Sequence, residues 1–226
     1  MVRMQDALRV LADFSAPLNL PNDVQISVFG HWKEITGESG SYGGIYRPGA
    51  RPGDRTEVAV ACYNHSTAEA LLRTLRHEVQ GHYLINTLTP EQKANVLSQI
   101  IDMQSEPSMQ PLWDEVSGAY ADQGITVQAE EVFANIAQDV DASLPRDLRP
   151  AATDRDITPK ERIAGFIHDQ CDRISTGLAK TQIFYVNDVH PKLSADPAEF
   201  ERRASAKEGA SLDGSRRVAS VSLGMN

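Results

Sequence analysis

His77, Glu78 and His82 stand close together in the run Arg76-His77-Glu78-Val79-Gln80-Gly81-His82. Two neutral imidazoles can ligate a divalent ion, and a carboxylate beside them can take a proton from a water bound to that ion. The familiar H-E-x-x-H arrangement separates its histidines by four residues, which puts them about 40° apart around a helix of 3.6 residues per turn. Here they are five residues apart. In a regular helix that spacing rotates His82 by about 140° from His77, toward the apolar stripe of Leu71, Leu75 and Val79. One extra residue in the turn, a π-bulge or a local unwinding between Val79 and His82, restores convergence, and such bulges are frequent at functional sites. Gly81 suits the irregularity because it has no Cβ.

A zinc site needs a third protein ligand, and Ala129-Glu130-Glu131-Val132-Phe133-Ala134-Asn135 offers two carboxylates. Val132, Phe133, Ile136 and Val140 point within about 60° of one direction, so they form the core stripe of a helix. Glu131 faces nearly opposite and Glu130 lies on the flank, which makes Glu131 the better ligand while leaving Glu130 as the alternative. Asn135, four residues after Glu131, is placed to hydrogen-bond the site. The expected metal is Zn²⁺, held by His77, His82 and Glu131, with Glu78 as general base.

Other chemistry-bearing residues have simpler readings. His31, His65, His168 and His190 sit in different elements without a motif partner. His168, Asp169, Cys171 and Asp172 resemble a ligand cluster only on paper, because on a helix only 168 and 172 share a face. Cys62 adjoins a strand and reads as a small core residue. Tyr83 and Tyr120 are each able to donate a hydrogen bond to an oxyanion, although packing is the simpler reading of both.

The elements that would position these residues are legible. Residues 24–29 alternate as a strand, 44–47 form a short strand among Gly- and Pro-rich loops, and 57–63 form another. Ser66-Thr67-Ala68-Glu69 has the form of a capping box opening the helix that carries His77, and Thr89-Pro90-Glu91-Gln92 repeats the signal for a second helix. Residues 104–114, with Pro107 and Pro111, read as a loop before a short helix at 115–121. Helices follow around 129–140 and 159–175. Residues 1–191 are expected to form one domain and 192–226, poor in large apolar side chains, a flexible tail.

Bulk properties set outer bounds. The 226 residues contain 31 acidic and 22 basic side chains, a net charge of -9 that repels phosphate backbones, so no nucleic-acid partner is expected. The Arg pairs at 202–203 and 216–217 are interspersed with acidic residues. Two cysteines, Cys62 and Cys171, without a C-x-x-C pair, fit a reducing, cytoplasmic setting. Arg3, Asp6, Arg9, Asp13 and Pro17 interrupt the first twenty residues, which therefore lack the apolar core of a secretory signal, and no membrane partner is expected. Oligomeric state is not readable from these features.

A capped helix with H-E-V-Q-G-H followed by a helix with E-E-V-F-A resembles the glutamate zincins, or gluzincins. The five-residue spacing and the Gly-His-Tyr at 81–83 are most similar to a zincin-like peptidase domain of large polyvalent proteins from phages and conjugative elements. The resemblance covers about residues 24–140 and implies an α+β fold with a small sheet above two metal-bearing helices. It also implies hydrolysis of a protein or peptide substrate, with His77, His82 and Glu131 as ligands and Glu78 as base. A hydrolase of another amide or ester, or a binding module without turnover, would use the same residues.

Overall fold

The computed structural model describes residues 1–22, 24–49, 55–144 and 157–177. The fold is α+β. Its strands are β1 (Val24–Phe29), β2 (Gly44–Arg47) and β3 (Thr56–Ala61), joined in the order β1-β3-β2. β1 runs parallel to β3, with Val24 opposite Thr56, whereas β2 is antiparallel, with Gly44 opposite Val60. The central strand is covered on both faces, so Val58, Ala59, Val60 and Ala61 are fully buried. β3 ends two residues earlier than its apolar run suggests, because the chain turns through a 3₁₀ segment at Cys62–Asn64.

An N-terminal helix, α1 (Met4–Ser15), was not anticipated. The charges at Asp6, Arg9 and Asp13 that break up a signal-like run are the outer face of an amphipathic helix. Ala7 and Phe14 are buried, while Val10 and Leu11 pack against the core. A short α2 (Trp32–Thr36) follows β1.

The long central helix begins as α3 (Ala68–Leu75), continues without a break through a π-helical segment (Arg76–Tyr83), and finishes as α4 (Leu84–Asn86). Its cap lies one residue later than a Ser66 capping box would put it: the Thr67 hydroxyl accepts from the Ala70 amide. The start of α5 (Pro90–Asp102) follows the motif, with Thr89 and Gln92 bonding each other's backbone amides.

The helix expected at 115–121 instead begins earlier, as α6 (Gln110–Ala119), because Pro111 occupies its first turn, where no amide is needed. α7 (Ile125–Ala137) buries Val132, Phe133 and Ile136, and α8 (Pro159–Ser175) packs on it through Phe166 against Phe133. The tail at 192–226, together with the preceding stretch from 178, lies outside the described residues.

Candidate metal centre

The π segment resolves the spacing problem. Its hydrogen bonds run from i to i+5, so residues five apart lie one above the other. His77 and His82 accordingly face the same way, with ring centroids 5.0 Å apart and ring planes at 72°. The irregularity spans Arg76–Tyr83, wider than the turn at Val79–His82 that the sequence suggests, and regular helix resumes at both ends.

Gly81 has a role beyond the expected one. Its backbone is not in the left-handed region. What it supplies is space: a Cβ built there would lie 2.6 Å from Ala134 Cβ and 2.7 Å from Ala134 Cα. The missing side chain lets α7 lie directly against the π turn, bringing Glu130 and Glu131 within reach of the histidines. Gly44 does the same on the opposite side. A Cβ there would meet Thr74 Cγ2 at 2.7 Å and the Glu78 side chain at 3.2 Å, so β2 runs immediately over the glutamate.

His77, His82 and Glu131 converge so that one ligand atom from each lies within 4.8 Å of the others. Glu131 spans the two rings, with Oε2 3.5 Å from His77 Nε2 and Oε1 3.5 Å from His82 Nε2. These separations are long for hydrogen bonds. They match the separation of about 3.3 Å between two ligands sharing one tetrahedral ion at about 2.0–2.1 Å. Both Nε2 atoms are buried without a hydrogen-bond partner, a costly arrangement for polar atoms unless another group satisfies them. The site is also short of positive charge. Glu78 and Glu131 are 0% and 2% exposed, and burying carboxylates costs several kcal/mol each unless a cation compensates, as Lys93 does for Glu130. The donor set and its orphaned nitrogens therefore fit a divalent cation.

A second layer holds His82 from behind. His82 Nδ1 and Glu130 Oε1 are 3.3 Å apart. Lys93 Nζ lies 2.6 Å from Glu130 Oε2 and 2.8 Å from Asn86 Oδ1, while the Asn86 amide donates to Glu130 Oε1 and to the His82 carbonyl. Burial alone would lower the pKa of His82, but the Glu130 hydrogen bond and the charges of Glu131, Glu78 and Glu130 prevail and raise it to about 9. Burial likewise opposes ionisation of Glu130, yet His82 and Lys93 bring its pKa down to about 2. Glu130 thus faces the outer nitrogen of His82, and Glu131 the inner ones of both rings.

Two tyrosines complete the surroundings. Tyr120 hydrogen-bonds Glu131, and burial, reinforced by the negative charges of Glu131 and Glu78, raises its pKa and keeps the phenol protonated. Tyr46, on β2, stacks on the His82 ring at 5.9 Å and 18°. Tyr83, the last residue of the π segment, is buried in the hydrophobic core. Asn135, expected to bond the site, is only half-buried, and behind the ring it is Glu130 that meets His82 Nδ1 and Asn86 that donates to the His82 carbonyl.

The sequence gives no signal for Lys93, Asn86 or Tyr46, because their partners lie in other elements. The alternation of β2 marks Tyr46 as inward-facing without saying what it meets.

The remaining candidates do not join the site. His65 is held by the Ala61 carbonyl and the Thr74 hydroxyl, each at 2.9 Å. His31 packs edge-on against Tyr63. His168 lies buried on α8, and among the described residues it belongs to no group of metal-ligating side chains. Cys62 is buried and burial raises its thiol pKa, so it is a core residue. Cys171 is also buried, and neither cysteine is in a disulfide. His190 lies outside the described residues. No described helix is long and apolar enough to cross a membrane.

No family model matches the chain, and no solved structure matches it. Among curated proteins the chain is similar to DNA primase TraC of Escherichia coli, 44% identical over 89 residues. That stretch is 39% of this chain and 6% of the primase, so the chain spans a small fraction of its relative's length.

Proposed function

We propose that the chain is a zinc-dependent peptidase with a zincin-like arrangement: His77, His82 and Glu131 as metal ligands and Glu78 as general base. The observation that carries this reading is the π-helical turn. It converts a five-residue spacing into convergent imidazoles and leaves their Nε2 atoms buried, unbonded and grouped around Glu131. A structural histidine pair has no need of such a turn, since each ring would be satisfied by a hydrogen bond, as His65 is.

A bound zinc ion would supply Lewis acidity and a water that ionises near neutral pH. The protein's own groups divide the remaining work. Glu78, fully buried under β2, is placed to accept the proton of the attacking water on its carboxylate and to return it to the leaving amine. Tyr120, neutral and hydrogen-bonded to Glu131, fixes that carboxylate and puts a phenol beside the reaction centre. Tyr46 covers the His82 ring and excludes water from that side. Primase activity, named for the relative, is not the one proposed: 6% of the primase is shared, and the net charge of -9 disfavours a nucleic-acid substrate.

Elemental analysis of the purified protein should find near-stoichiometric zinc. Incubation with a denatured-protein substrate should give cleavage that Glu78→Gln abolishes while keeping the metal, because the amide preserves shape but accepts no proton. Cleavage unchanged in Glu78→Gln would remove the mechanism. Metal with hydrolysis only of small amides or esters would redirect the substrate class.

A further inference from the structure

We infer that Lys93 is a positioning residue for the metal centre, acting through Glu130 to hold His82 in its metal-facing orientation. The inference rests on the zinc reading above and extends it to a residue outside both motifs. Glu130 and Glu131 are adjacent, both buried, and both reach His82, so nothing in their chemistry alone separates a ligand from a spectator. Lys93 makes the separation. Its ammonium sits 2.6 Å from Glu130 Oε2 and meets no other carboxylate among the described residues. With Oε2 held by Lys93 and Oε1 receiving the Asn86 amide, Glu130 is turned toward the Nδ1 side of His82. Donation from Nδ1–H to a carboxylate fixes the ring and leaves Nε2 with its lone pair toward the cation, a device that metal-ligating histidines commonly use.

Lys93 also spans three elements. It stands on α5, its carboxylate partner on α7, and Asn86 at the end of the central helix, where the Asn86 amide returns to the His82 carbonyl at 2.6 Å. The network therefore fixes both ends of His82, the ring through Glu130 and the backbone through Asn86. The Lys93 side chain is 20% exposed, which leaves room for a longer cation to reach the same carboxylate from the solvent side.

The test is zinc affinity of the full chain, measured by competition with a chromophoric chelator, with urea denaturation of the zinc-free proteins alongside. Glu130→Gln and Lys93→Ala should each weaken zinc binding by about 10- to 100-fold, the range for partners behind a ligand. Lys93→Arg should recover most of that loss, which a purely packing role for the lysine stem would not produce. If Lys93→Ala fails to fold, Lys93→Met keeps the stem and removes only the charge. Wild-type protein that binds zinc, with Lys93→Ala or Lys93→Met binding it equally well, overturns the role of Lys93 and leaves the zinc reading intact. Arginine recovering no more than alanine also overturns it. Wild-type protein that binds no zinc overturns both.

Discussion

Gly81→Ala should damage the metal centre without touching a ligand, and the size of the effect can be worked from the packing. The added Cβ would stand 2.6 Å from Ala134 Cβ and 2.7 Å from Ala134 Cα. Ordinary carbon contacts are about 3.5–4.0 Å, so α7 and the π turn must part by about 0.9 Å. One of the opposing atoms is backbone, which no rotamer change can move aside. Overpacking of this kind costs about 1–3 kcal/mol, from which alanine's better helix propensity returns about 0.5–1 kcal/mol. A net destabilisation of about 0.5–2 kcal/mol is therefore expected, read as a lower urea midpoint of the zinc-free protein. Glu131 is carried on the helix that moves, whereas both histidines lie on the turn it leaves. The two 3.5 Å contacts would lengthen well past the tolerance of about 0.2 Å in metal–ligand distance, so zinc affinity should fall at least tenfold. Adding Ala134→Gly should restore only part of both losses, since Ala134 Cα remains in the way. A Gly81→Ala protein as stable as wild type, with zinc affinity within twofold, would refute the claim that glycine is there for close approach.

Glu131→Ala should weaken zinc binding by more than 100-fold and by more than Glu130→Ala, which removes only the group behind His82; chelator competition ranks the two, and equal losses would mean the helix is misphased. The zinc-free protein should lose stability as pH rises. His82, raised from 6.5 to about 9, contributes stability that is complete below about pH 6.5 and gone above about pH 9. Glu130, lowered from 4.5 to about 2, contributes above about pH 4.5 and loses this as pH falls through about 2. Urea midpoints across this range should fall on the alkaline side without zinc and fall less with it, because the proton and the metal compete for His82. A zinc-free midpoint that rises from pH 7 to 9 would contradict the assignment.

The chemical nature of the site is a local property of the chain and is legible there. His77, Glu78 and His82 lie in one run, and the phase of Val132, Phe133 and Ile136 separates Glu131 from Glu130 because helical geometry alone sets the directions. The same local reading gives β1, β2, the cap of α5, the extent of α8, and the requirement that the helix depart from regularity before His82. It does not reach α1, whose small apolar face is masked by charges until α3 is present to cover it. The packing constraint on Gly81 is also invisible in sequence, because Ala134 lies more than fifty positions away and only the tertiary structure shows that a Cβ has no room. Lys93, Asn86 and Tyr46 belong to the same category. Lys93 and Tyr46 act on His82, and Asn86 on Glu130, across elements that meet only when the core closes, and a buried ion pair or stacked ring is defined by the burial that tertiary structure creates. The residue types and their periodicity thus determine what chemistry the chain can offer, whereas the close approach of α7, α5 and β2 to one turn decides which groups face the cation and which hold them in place.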